Sequence, residues 1–474
     1  MKKLKLFLGV LTFGLLFNIN NVNAMTLTED LTLTEDITEQ VIVEGKKVTI
    51  NLNGHNITAA ANGALLAKDG ADVTIIGEGT IESTNDNGVV VMNGSTLTLE
   101  SGNIKSVEFG VFTTNDSTFT MNGGTITTSD NCGAGGNGNN TSEYKNYTIN
   151  INGGTINANI KTAGYVSCGI YHPSEGTVNI TGGTINSSNG AGVVQRGGTL
   201  NITGGTINTS GSSVGKVGDS RVVVNASAVV VDKEANYPAV DTIVTKISKD
   251  AVLNGAAGSI ETLGENIAIE LTGGIFTEEP EEEQIPEGYK AYQIIDGENK
   301  DKYVVANEEE IVNEVANAMI TKEDVSEETV ALIEETVEGK YNLLSFYDVS
   351  LLTVTDNDEI IGYVEEAEEA VKVTLGLPTE MPELKEGFTR KYYVVRIHNG
   401  EATVISDVTD NGDGTVSFKS DKFSTYAIAY VDVEEEKTTS NPQTGDSIIS
   451  KTMILGISLI GLAGTSLVIR KRFN

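Results

Sequence analysis

Few residues of this 474-residue sequence can do covalent chemistry, and their spacing does not suit bond cleavage. Its three histidines, His55, His172 and His398, are scattered and unpaired, so no metal site is implied. Eliminating a uronate polymer needs a basic residue beside clustered carboxylates that hold calcium, and hydrolysing a glycoside needs two facing carboxylates. Up to residue 276 the arginines are Arg196 and Arg221, and no Asp-Asp pair occurs anywhere. Tryptophan, the usual platform for stacking a sugar, is absent. Asp410-Asn411-Gly412-Asp413-Gly414 invites a calcium reading, but it lacks the later glutamate of a calcium loop and suits a hairpin turn. The expectation is therefore no catalytic residue, no metal and no cofactor, hence not an enzyme. Recognition is the remaining chemistry. Tyr144, Tyr147, Tyr165, Tyr171 and His172 fall where charges cancel: between 121 and 211, Asp130, Glu143 and Glu175 stand against Lys145, Lys161 and Arg196. Tyrosine buries area while keeping a polar tip, which suits contact with a sugar or a protein. These five residues are the candidate binding face.

A repeat supplies the elements that must position them. Residues 121–126, 151–156, 180–185 and 202–207 read Met-Asn-Gly-Gly-Thr-Ile, Ile-Asn-Gly-Gly-Thr-Ile and twice Ile-Thr-Gly-Gly-Thr-Ile, with weaker copies on either side. The closing apolar residues are Ile57, Ile81, Ile104, Ile126, Ile156, Ile185, Ile207 and Phe276. Their gaps are 24, 23, 22, 30, 29, 22 and 69, the last being three times 23. A fixed period near 23 marks a solenoid. Gly63, Gly88, Gly110, Gly133, Gly169 and Gly192 form a second register, and alternating pairs such as Leu97/Leu99, Ile149/Ile151 and Leu200/Ile202 form a third. Period-two alternation means strands, so each coil holds three short strands with glycine corners. The Gly-Gly pairs suit a bend of positive φ. Asn150, Asn179 and Asn201 fall at one position in successive coils and can bond along the axis.

Cys132 and Cys168 each precede a register glycine, which places them in neighbouring coils about one strand spacing apart, ~4.8 Å. That is within disulfide reach; two stacked small apolar side chains are the alternative. The two long coils bring insertions side by side over residues 127–172, where the tyrosines lie. Leu31-Thr32-Leu33-Thr34-Glu35-Asp36-Ile37-Thr38, Leu52-Asn53-Gly54-His55, the Gly-Gly-Thr-Ile coils and the ending Gly273-Gly274-Ile275-Phe276 carry a resemblance. They look like the pectate-lyase-like solenoids of Gram-positive surface proteins, over roughly 27–305. The fold expected is mainly β: a right-handed parallel β-helix, a short helical connector and a β-sandwich stalk.

The remaining boundaries follow from composition. Residues 25–305 are the β-helix, with a hairpin at 289–305 capping its last coil. Residues 306–340 read as a helical connector. Its first helix would be capped by Asn307, with Val312, Val315 and Met319 in a stripe; its second by Ser326, with Val330, Ile333 and Val337 on one face. Strand segments separated by turns make 341–433 a sandwich, and 434–445 is an acidic, then Thr/Ser-rich leash.

Both ends carry addresses. Lys2, Lys3 and Lys5 before an apolar run from Leu6 to Phe17, then Val22-Asn23-Ala24, read as a signal peptide (1–24) cleaved after Ala24. Asn441-Pro442-Gln443-Thr444-Gly445, the uncharged run Thr452–Ile469 and Arg470-Lys471-Arg472 resemble the sorting signal of Gram-positive wall proteins, a variant of the Leu-Pro-x-Thr-Gly type. The resemblance implies a sortase that cuts after Thr444 and passes it to peptidoglycan, with 446–474 in the membrane only as precursor. Residues 25–276 hold 25 acidic and 12 basic side chains (−13), and 277–445 hold 40 and 13 (−27). Such a chain is repelled by nucleic acid. The function expected is a wall-anchored, adhesin-like protein that binds an unidentified glycan or protein. The alternatives are a polysaccharide lyase or hydrolase, or a passive surface structure.

Overall fold

The computed structural model describes residues 24–138, 146–161, 164–165, 167–211, 215–216, 223–235, 240 and 242–435. The signal peptide before Ala24, the sorting motif Asn441 to Gly445, the membrane segment, and Tyr144 and Arg221 lie outside the described residues. Among the described residues no helix is long and apolar enough to cross a membrane. The chain divides into two units: residues up to 312 together with 354–361, and 313–353 together with 362 onward.

The first unit is a parallel β-helix, and one coil explains it. Strands Val89–Val91, Thr96–Leu99 and Asn103–Ser106 each pair in parallel with the counterpart one coil on: Val111–Thr113, Thr118–Met121 and Thr125–Thr128. Alternation turns Val89, Val91, Leu97, Leu99 and Ile104 inwards, where each is fully buried. The first strands of the coils stack into a ten-stranded sheet running from Ala24–Leu27 to Gly258–Leu263. The other two sets belong to a seventeen-stranded sheet that bends at the Gly-Gly corners. At 123–124, 153–154 and 182–183 only the second glycine has positive φ (Gly124 77°, Gly154 79°, Gly183 79°). The first is required by close approach: a Cβ on Gly153 would lie 2.4 Å from the Asn122 carbonyl. The expected bend is thus half conformational and half steric.

The closing residues stack in register from Ile57 to Ile207. Beyond that the expectation fails. Ile207 pairs with Leu253 and Leu253 with Phe276, so the last 69 residues form two coils of 46 and 23, not three. Asparagine amides bond along the axis, Asn179 to Asn150 and Asn201 to Asn179, each at 2.9 Å. Cys132 and Cys168 are joined in a disulfide, Cα atoms 4.5 Å apart, Cys168 in the strand Ser167–His172 and Cys132 two residues before its neighbour Ala134–Gly135 in the ten-stranded sheet. The antiparallel hairpin Tyr289–Gln293/Tyr303–Asn307 closes the end by pairing Val304 and Tyr303 with Ile275 and Phe276.

The second unit is a two-sheet sandwich. Strands Val312–Ile320, Asn342–Val354, Thr425–Glu434, Phe388–His398 and Glu401–Ile405 follow one another across the larger sheet; Glu366–Gly376, Thr415–Lys422 and Thr409–Asp410 make the smaller. Tyr347, Val349, Val373, Leu375, Val416 and Ile428 are buried between them. Ser326 caps the helix Glu327–Val337, which lays Val330, Ile333 and Val337 on Phe346, Val395, Ile397 and Ala427. The first expected helix does not form. Asn307 caps only a 3-10 turn, and Val312–Ile320 is an edge strand, because pairing with Asn342–Val354 outweighs a helical stripe. Asp410 to Gly414 is a hairpin turn: Asp410 and Asp413 accept from the amides of Gly412 and Thr415.

Candidate functional site

Three of the five residues expected to form a binding face are not at the surface. Tyr147 is 1 %, Tyr171 6 % and His172 0 % exposed, and only Tyr165 is half-exposed. Tyr147 alternates with Ile149 and Ile151 and His172 with Ile170, so both point into the solenoid. The Tyr147 hydroxyl lies 2.7 Å from His172 Nδ1. Burial drives the His172 imidazole down to about 3, against a weaker upward pull from the backbone of Thr199 and Gly176. Burial likewise pushes the Tyr147 phenol up, partly offset by Ser174. The insertions also leave from different corners, 136–146 before Tyr147–Ile151 and 160–166 before Ser167–His172. The second meets the 46-residue coil, where Lys216 N donates to the Gly164 carbonyl.

The outer face of the ten-stranded sheet carries the more informative column: Ile42, Leu66, Val90, Phe112, Gly135, Tyr171, Val194 and Val230 in register. Its later part is covered. Cys132, Cys168, Tyr171, Ala191, Val194 and Val230 form a second apolar cluster with Val224 of the long coil. Beneath that cover Arg196 and Asp232 are fully buried, Nε to Oδ2 at 2.7 Å, with Arg196 Nη1 3.0 Å from the Tyr171 hydroxyl. A charge so enclosed is structural, because breaking it strands its partner. The guanidinium that could have served as a lyase base is engaged there.

The earlier part of the face is half-open. Ile42, Leu66 and Phe112 are half-buried, and Phe109 rests over Gly135, its ring 5.7 Å from Phe112 and 6.4 Å from Tyr171. At the adjoining corner Asp86 and Glu108 stand in successive coils, each two residues before a register glycine. Burial raises both carboxyls above the usual range, and the charges of Asp86 and Asp130 raise Glu108 further while Asn131 Nδ2, at 2.7 Å, opposes them. An apolar aromatic strip beside half-buried carboxyls can stack a ring and hydrogen-bond its hydroxyls. The sequence held the signal, position −2 from Gly88 and Gly110. Among the described residues no group of three or more His, Cys, Asp or Glu is arranged to hold a metal. No family model, no curated protein and no solved structure matches this chain.

Proposed function

We propose that this chain is a secreted, covalently wall-anchored, adhesin-like binding protein of a Gram-positive bacterium, and that the half-open face of the ten-stranded sheet is its contact surface. The observation that carries the contact surface is the half-buried strip Leu66, Phe109 and Phe112 beside Asp86 and Glu108. The address rests on the end motifs, Ala24 and Asn441 to Gly445, which resemble a signal cleavage site and a sorting signal. A rigid solenoid followed by a sandwich suits display of the first unit away from a wall. Sortase and peptidoglycan are the partners implied, with a glycan or protein as ligand.

The test is a glycan-array and matrix-protein screen of residues 24–435, repeated with Phe112→Ser. Capture of a ligand that this variant weakens at least tenfold is expected; capture unchanged by the variant removes the site. One observation favours a second reading: Asp86 and Glu108 stand in successive coils, near enough for the charge of Asp86 to raise Glu108, and a glycoside hydrolase would need one of two such carboxyls protonated and the other ionised. Release of reducing ends that Glu108→Gln abolishes would install that reading in place of binding.

A further inference from the structure

The antiparallel hairpin closes only the seventeen-stranded sheet. The ten-stranded sheet ends at Gly258–Leu263, and among the described residues nothing pairs with its outer edge. Leu263 turns its carbonyl inwards to Lys233 N, so strand alternation turns the amides and carbonyls of Ile260 and Thr262 outwards. Such an edge is a template for another strand. It is blocked at its start, where Glu278 accepts from Ser259 N and Thr277 bonds Ser259 Oγ, and left open further along.

Beside the open part lies a cavity of about 110 Å³, floored by Ile260 and Phe276 and rimmed by Glu278, Glu279 and Glu281. Thr262, Glu279 and Glu281 are exposed, while Lys233 directs its Nζ to the Asn266 carbonyl instead of to these acids. A second copy of a chain with net charge −34 would bring its own carboxylates to this edge, which disfavours self-pairing. An extended segment of opposite charge meets neither obstacle. We infer that the Gly258–Leu263 edge captures a lysine- or arginine-rich extended polypeptide by strand addition, with one basic side chain entering the cavity towards Glu279 and Glu281. Backbone bonding to Ile260 and Thr262 supplies register, and the alkyl stem of the basic residue covers Phe276. This site is separate from the face on which the proposed function rests, so either can fail alone.

The experiment is calorimetric titration of residues 24–435 with an alternating lysine–valine peptide. Its arms are the same peptide methylated on alternate backbone nitrogens and a glutamate–valine counterpart. Binding is expected for the first peptide only. Thr262→Pro removes an outward amide without touching the inner ladder, and should weaken binding at least tenfold with the thermal transition unchanged. Glu279→Gln with Glu281→Gln should weaken it by a similar factor. Equal binding of the methylated peptide, or no effect of Thr262→Pro, would reduce the interaction to general charge attraction and overturn the inference. Binding of the acidic peptide, or dimerisation of the chain in sedimentation through this edge, would overturn the choice of occupant.

Discussion

Gly110→Ala tests the packing logic of the coils most directly. Gly110 lacks positive φ, so its requirement is spatial: an added Cβ would stand 2.2 Å from Ile126 Cγ2 and 2.5 Å from the Gly133 carbonyl. Carbon atoms pack at about 3.5–4.0 Å, so the closing isoleucine must move by more than ~1 Å inside a column that continues through Ile156 and Ile185. Overpacking of this kind costs ~1–3 kcal/mol, and the rigid stack argues for the upper end. Two comparisons make the reasoning exacting. Gly88→Ala should cost less, because its Cβ would lie 2.7 Å from Ile104 Cγ2 and 2.8 Å from the Gly110 carbonyl. Ile126→Leu removes the branched methyl that Gly110→Ala strikes, so the double variant should recover ~1 kcal/mol relative to the summed single effects. Urea unfolding of residues 24–435, followed by far-ultraviolet circular dichroism, reads all four. A cost for Gly110→Ala below ~0.5 kcal/mol, or strict additivity with Ile126→Leu, would refute the argument.

Three further outcomes are expected. Replacing Cys132 and Cys168 by serine opens a 36-residue separation and should lower stability by ~4 kcal/mol on chain entropy, read as a lower urea midpoint that reductant no longer shifts. Asp232→Asn leaves the Arg196 guanidinium buried without its carboxylate and should cost ~3–5 kcal/mol, whereas Arg196→Met with Asp232→Leu should come close to neutral by the same measurement. His172 is held down to about 3 from an ordinary 6.5, so below 6.5 the unfolded chain takes up a proton that the folded chain refuses. Its contribution is intact above pH 6.5 and is lost as pH falls towards 3, at up to ~1.4 kcal/mol per pH unit. Asp86 and Glu108 act oppositely, since their raised values favour the protonated folded form. His172→Gln should therefore flatten the acid limb of a stability–pH curve and leave the part above pH 7 unchanged.

The solenoid was legible because each coil spends the same residue types at the same stations, Ile at the close and Gly at the register. The coil count failed where that regularity lapses: Leu253 carries the station 46 residues after Ile207, so a gap of three periods holds only two coils. Val312, Val315 and Met319 satisfied a helical spacing, but only the partner strand Asn342–Val354, distant in sequence, decides their conformation. The site was the least legible part. Tyr147 and His172 could have been read as inward from their alternation with Ile149 and Ile170. Tyr171 could not: it does face outwards, and what hides it comes from Val224, which no local pattern announces.

The intervals of the stabilising contacts bear on how the chain folds. The disulfide spans 36 residues, the Arg196–Asp232 pair another 36, and the asparagine bonds Asn201–Asn179 and Asn179–Asn150 span 22 and 29. Each is about one coil, so contact order stays low for so large a β structure, and an earlier coil suffices to template the next. Growth can then run from the N-terminal end as the chain emerges, with loop-closure entropy met in small instalments. A much longer interval belongs to the bond from Asn357 to the Lys249 carbonyl, 108 residues apart, by which the returning segment 354–361 joins the rest of the first unit. That contact should be the last of the solenoid to form and the first to open in hydrogen exchange.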